Sequence, residues 1–281
     1  MSPRKRARVQ SAAKGCVRLA IVGDVHGQYG PEDEAAIRSL GVDATLFVGD
    51  FGEEDVELVQ QIASGDTPRF TILGNHDAWY SLTTLRPDFK GVQSQLDALG
   101  QQHIGYSSCT VPAANGPGCT VVGARPFSRG GDKWEKVAFF YKQLYEVESM
   151  EASAARVSDT VLKASQQGLP LVLMSHNGPT GLGELSHSIC GIDWTRDAGD
   201  HGDPDLREAL DDVHNKGSSI ALVVFGHMHH KLNHRHGDGA LRSMAVIDPA
   251  TGTVYINAAV VPRVRPRASG EAVTCRHFVV C

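Results

Sequence analysis

The chain contains no run approaching ~18 uninterrupted apolar residues, so nothing in it reads as a membrane span. Its first residues lack the apolar core of a secretory signal, and the expected state is soluble and intracellular. Cysteine is sparse. The six are Cys16, Cys109, Cys119, Cys190, Cys275 and Cys281, and no two form a C-x-x-C pair. That spacing excludes a zinc ribbon and, without a secretion signal, reads as reduced thiols. There is no phosphate-binding P-loop and no dinucleotide fingerprint, so no organic cofactor is implied. Internal repeats and coiled-coil heptads are also missing.

Acidic residues are absent from positions 1–18, which carry Arg4, Lys5, Arg6, Arg8, Lys14 and Arg18 in a chain of net charge −5. Residues 1–16 read as a basic, solvated tail. The same composition suits the remnant of an organelle transit peptide, which would move the expected location from cytoplasm to plastid stroma. A nucleic-acid-binding arm is the third reading, and it lacks interleaved aromatics.

What is present is a globular composition: 281 residues, 41% of them hydrophobic, enough for a sizeable core. Residues 17–281 read as one domain. Short apolar runs at 17–22, 44–48, 70–73, 169–174 and 220–225 read as strands buried on both faces. Helical patterns fall at 53–62, 132–145, 149–167 and 204–213, the last opening on Asp203-Pro204 as cap and first helical position. Beyond 228 the chain reads as antiparallel strands at 231–235, 241–247 and 253–259, with Asp238-Gly239 as a hairpin turn. The expected fold class is α/β with two packed sheets. The Gly-rich segments 105–131 and 177–203 are long loops, which are often functional.

Each of the five early strand ends carries side chains able to bind metal: GDVHG (23–27), GD (49–50), GNHD (74–77), SH (175–176) and GHMH (226–229). In α/β sheets, ligands gather at the carboxyl ends of strands, so these residues should converge. Asp24, His26, Asp50, Asn75, His176, His227 and His229 make seven candidate ligands. Carboxylate and imidazole with one amide and no thiolate suit manganese, iron or zinc. Seven is too many for one tetrahedral ion with an open position and fits two ions sharing a bridging carboxylate.

These motifs, in this order, resemble the calcineurin-like metallophosphoesterase superfamily. The resemblance implies a four-layer α-β-β-α sandwich. It implies one metal held by Asp24, His26, Asp50 and His229, and a second by Asp50, Asn75, His176 and His227. It gives His76 a place at the reaction centre without holding metal, and makes Asp77 the partner that orients its imidazole. GDVHG also resembles the first motif of the protein Ser/Thr phosphatases. However, Asp50 is followed by Phe51-Gly52-Glu53-Glu54 with no arginine, and Asp77 stands where that subfamily has glutamate. The phrases GDFGEED, SHNGPTGLG and GDHGDPDL resemble instead a cyanobacterial and plant branch.

The expected activity is two-metal hydrolysis of a small phosphate monoester or diester. A hydroxide held between the ions attacks phosphorus, and His76 assists the leaving group. In GARPFSRGGDKW (123–134), Arg125 and Arg129 are the candidate phosphate-binding forks. His187, Cys190, Asp193, Asp200, His201 and Asp203 read as a polar lid loop, His230, His234 and His236 as surface histidines, and Trp79 as a rim residue. Two rival readings are a nuclease, which needs a basic groove that residues 19–281 do not supply, and an inert protein-binding scaffold, which should have lost ligands or His76.

Overall fold

The computed structural model describes residues 16–83, 88–114, 116–266 and 274–281. The basic tail proposed for 1–16 thus lies almost wholly outside the described residues. Among them, no helix is long and apolar enough to cross a membrane.

The first half alternates strand and helix: β1 (Leu19–Val22), α1 (Pro31–Leu40), β2 (Ala44–Phe47), α2 (Val56–Ala63) and β3 (Arg69–Thr71), then α3 (Trp79–Thr83) and α4 (Lys90–Leu99). A hairpin of β4 (Ser108–Ala113) and β5 (Gly116–Gly123) leads to α5 (Ala138–Tyr145), α6 (Met150–Ser165), β6 (Leu171–Met174), α7 (Pro204–Asn215) and β7 (Leu222–Phe225). Short strands finish the chain: β8 (Ala245–Ile247), β9 (Val254–Asn257), β10 (Val264–Pro266), β11 (Thr274–Arg276) and β12 (Val279–Val280).

Two mixed sheets result, in the orders β12-β1-β2-β3 and β4-β5-β6-β7-β9-β8, with β10-β11 a separate ribbon. Strand side chains alternate between two cores. Leu19, Ile21, Leu46, Val172, Met174 and Val224 fill the space between the sheets. Val22, Phe47, Leu171, Leu173, Val223 and Phe225 face away from it and pack with helix residues such as Ile37, Val59, Val157 and Leu206. Helix, sheet, sheet and helix therefore form four layers, as the resemblance implied.

Local chemistry sets the helix ends. Asp55 caps α2 by accepting from the Leu58 N–H, and Ser149 caps α6 by accepting from the Ala152 N–H. Asp203 stands at the N-cap of α7, but its carboxylate is used elsewhere. The C-terminal expectation needs correction. Residues 231–235 form no strand: only Lys231 bridges Leu241, and His234–His236 is a 3₁₀ turn capped by Asn233. The Asn233 N–H goes to the Asp193 carboxylate instead of a neighbouring strand. β9 pairs with β7 in parallel, and only β8 is antiparallel to it.

Candidate metal centre and active site

The carboxyl ends of β1, β2, β3, β6 and β7 meet at one edge of the sandwich. Asp24, His26 and His229 bring one ligand atom each within 4.8 Å of one another, and so do Asp50, His176 and His227. The Asn75 amide oxygen lies 3.0 Å from His176 Nε2. All seven sequence candidates thus sit in the two adjoining nests. Ligand atoms of His76, His26 and Asp50 also lie within 4.8 Å of one another.

Backbone bonds lock the strand ends together. Asp24 N–H donates to Gly49 O at 3.2 Å and His26 N–H to Asp50 O at 2.9 Å. The His227 N–H donates to both Asp24 oxygens at 3.1 and 3.0 Å, and the His76 N–H to Asp50 Oδ1 at 2.9 Å. Asp24, His26, Asp50 and His227 all adopt positive φ, between 43° and 66°. Non-glycine residues rarely hold that conformation, and they concentrate where a site requires it. The glycines before the ligands are needed for close approach. A Cβ on Gly74 would lie 2.3 Å from Asp50 Oδ1, and one on Gly226 would lie 2.2 Å from Asp24 Oδ2.

The donor set fits cations. His176 Nδ1 lies 2.7 Å from Val48 O, which only accepts, so Nδ1 carries the proton. Its Nε2 then faces two oxygens, Asn75 Oδ1 at 3.0 Å and Asp50 Oδ1 at 3.3 Å. Burial opposes charge on this ring, yet the Asp50 and Asp24 carboxylates push its pKa up to about 9, so the position favours positive charge. Burial would also raise the Asp50 carboxyl, but the His176, His227 and His76 imidazoles hold it well below the usual range. The Nε2 atoms of His26 and His229 meet at 3.2 Å, a contact that needs a proton or a cation between them. Buried His227 Nδ1 has no hydrogen-bond partner, and burial followed by His176 drives that ring's pKa well down, leaving a neutral lone pair. Orphaned buried nitrogens of this kind are what a metal would satisfy.

The family model for calcineurin-like phosphoesterase matches residues 17–231. The chain belongs to that family. As a calcineurin-like phosphoesterase it is a metal-dependent phosphoester hydrolase, with a candidate metal-binding cluster where the strands end. A search of curated proteins finds no match. Among solved structures, it is similar to TT1561 of Thermus thermophilus (11% identity, TM-score 0.49, covering 88% of this chain and 91% of that one). It is also similar to a dimetal phosphatase from Danio rerio (12%, TM-score 0.48, 94% and 91%). A third similar structure is the Haemophilus influenzae NAD nucleotidase (11%, TM-score 0.45, 88% and 46%).

Two sequence assignments for this phosphoesterase are corrected by its geometry. Asp77 does not serve the His76 imidazole. It is fully buried, and its two oxygens accept the N–H groups of Asp50 and Gly74 at 2.9 and 2.7 Å and of Phe51 at 2.9 Å. It ties the second and third motifs to each other. The His76 ring instead stacks on Trp79, centroids 4.6 Å apart, and meets His26 edge-on at 4.9 Å. Arg125 is no phosphate clamp. Its guanidinium is buried, forked onto Asp205 at 2.8 and 3.0 Å, and 3.1 Å from Asp203. Arg129, by contrast, is exposed and lines the cavity of about 630 Å³ over the metal ligands, with Trp79, Trp194, His201 and Arg242.

His201 is legible in the sequence only as a polar lid residue. Its ring stacks 5.8 Å from His227, and its Nε2 lies 2.9 Å from Arg129 O. Arg242 gives no warning in the sequence, because a lone arginine in an expected strand carries no signal. It is buried and donates to the carbonyls of His229, Ser186, Ser188 and Gly191, joining the GHMH motif to the lid loop. Asn257 could have been found by the strand-end rule. At the end of β9, its side-chain amide donates to Met228 O at 2.6 Å and supports the same motif.

Proposed function

We propose that the protein hydrolyses a small phosphate monoester or diester at a two-metal centre. The observation that supports this best is the convergence of seven candidate ligand side chains in two adjoining nests, with His227 Nδ1 buried and unpartnered. Asp24, His26, Asp50 and His229 would hold one divalent manganese, iron or zinc ion, and Asp50, Asn75, His176 and His227 the other. Bound ions of this kind act as Lewis acids on phosphoryl oxygens and activate water. The protein's own groups do the rest. Asp77 fixes the loops that carry Asp50 and Asn75. Trp79 holds the His76 ring by stacking, and His76 protonates the departing oxygen. Arg129, on the cavity wall, contacts the substrate's anionic end.

Protein reconstituted with manganese should bind close to two equivalents by elemental analysis. It should hydrolyse members of a panel of p-nitrophenyl phosphate, bis-p-nitrophenyl phosphate, cyclic nucleotides, nucleotides and sugar phosphates, and lose that activity with chelator. His76→Gln should lower kcat by ~10²–10⁴-fold with metal content intact. Asn75→Ala should lose metal and activity together. A His76→Gln protein that also sheds metal would make His76 a ligand, and the assigned division of labour would be wrong.

A further inference from the structure

A second cavity, of about 290 Å³, adjoins the one over the metal ligands, and Arg129 and His201 line both. Its wall also includes Lys133, Lys136, Trp134 and the edge of Arg125, and no carboxylate. In a chain of net charge −5 this is an unusual concentration of one sign. Arg129, Lys133 and Lys136 are all exposed, and none has an ion-pair partner among the described residues. The fourth cation, Arg125, is neutralised by Asp203 and Asp205 behind the wall.

The loop bearing these cations is anchored rather than loose. Ser128 Oγ donates to Asp203 at 2.6 Å, and the Gly131 N–H reaches the carbonyls of His201 and Gly202 at 3.1 and 3.2 Å. Gly130 and Gly131 both take positive φ, and a Cβ on Gly130 would lie 2.5 Å from the His201 ring. Arg125 with its two aspartates is the buried root of this loop. Trp134 stacks on Tyr141 at 4.8 Å and forms a flat apolar side to the cavity.

Resting on the phosphoesterase reading for the neighbouring cavity, we propose that this one binds a second anionic group of the substrate. The preferred substrates are then small phosphoesters bearing another phosphate. One phosphoryl group sits over the metal ligands, and the other is held by Lys133 and Lys136, with Arg129 between them. At about 290 Å³ the space suits one small group rather than a whole ligand.

The test uses probes that no phosphoesterase can cleave. Alkylene diphosphonates of increasing chain length and butylphosphonate are titrated calorimetrically into the metal-loaded wild-type protein. The best diphosphonate should bind at least about tenfold tighter than the monophosphonate, the effect of one charge-assisted contact. Lys133→Gln/Lys136→Gln should remove that margin and leave butylphosphonate affinity and melting temperature unchanged. Equal affinity of both probe types for the wild type, or a margin that survives the double substitution, overturns the proposal. Hydrolysis of the phosphoester panel, with bisphosphorylated sugars added, is assayed separately: a margin with no member hydrolysed would keep the subsite and reject the phosphoesterase reading.

Discussion

At the scale of single residues, the side chains that look alike in sequence divide by what they touch. Arg125 and Arg129 are four positions apart; the sequence favours Arg125 as the clamp because it ends the apolar run Cys119–Gly123, and it does not distinguish their surroundings. The fold does, by placing two aspartates from the start of α7 against the first and cavity space against the second. Arg125→Ala should therefore act on stability. It strands two buried carboxylates, and breaking a buried pair costs about 3–5 kcal/mol. Urea denaturation should register that loss, and Arg125→Lys should recover only part of it because the fork is lost. Full stability in Arg125→Ala would return the residue to the substrate. Asp77 shows the same limit of sequence reading. Its place beside His76 in the chain suggests a partner, but the carboxylate turns away into four backbone N–H groups.

Among elements, the strand ends are the legible part. The first candidate ligand of each motif follows a glycine or serine at the end of an apolar run, because backbone must pass within contact distance of a neighbouring motif's side chain. Gly226→Ala tests this. The added Cβ would press on Asp24 Oδ2 at 2.2 Å, so metal affinity should fall at least tenfold while the melting temperature moves little. Dialysis against a metal-ion indicator measures the first and calorimetry the second. Retained affinity would show that the loops yield. Less legible are the elements after the last motif. The expected strand at 231–235 fails because Asn233 and its neighbours bond to Asp193 in the lid loop, a partner some forty positions away. Helices α1 and α4 are also hard to see in the sequence. They carry few apolar positions, Ile37 being the one apolar side chain of α1 that is fully buried.

For the whole molecule, the two-core sandwich explains why continuous apolar runs are the right sign of the central strands: β1, β2, β6 and β7 have a core on both faces. It also sets a pH dependence. His103, beside β3, has a buried Nε2 with no partner, and burial pushes its pKa down to about 4. The unfolded chain binds that proton near pH 6.5, well before the native state can. Stability from this group is thus full above pH 6.5 and is lost as pH falls from 6.5 towards 4. His103→Gln should flatten the decline of melting temperature across that window. An unchanged slope would place the acid sensitivity elsewhere.

The pairing of β12 with β1, Val279 opposite Ile21 and Val280 opposite Ala20, has a consequence in time. The strand that presents the first candidate ligand is made long before its partner on one side. At ribosomal speeds of ~5–20 residues per second, β1 waits on the order of 10–50 s with that edge uncovered. During that interval the nascent chain carries an open strand edge beside Val22, and the ligand-bearing turn at Asp24 lacks the His227 N–H that steadies it. Closure of the first nest, which needs His229 beside Asp24 and His26, must then follow synthesis of the GHMH motif.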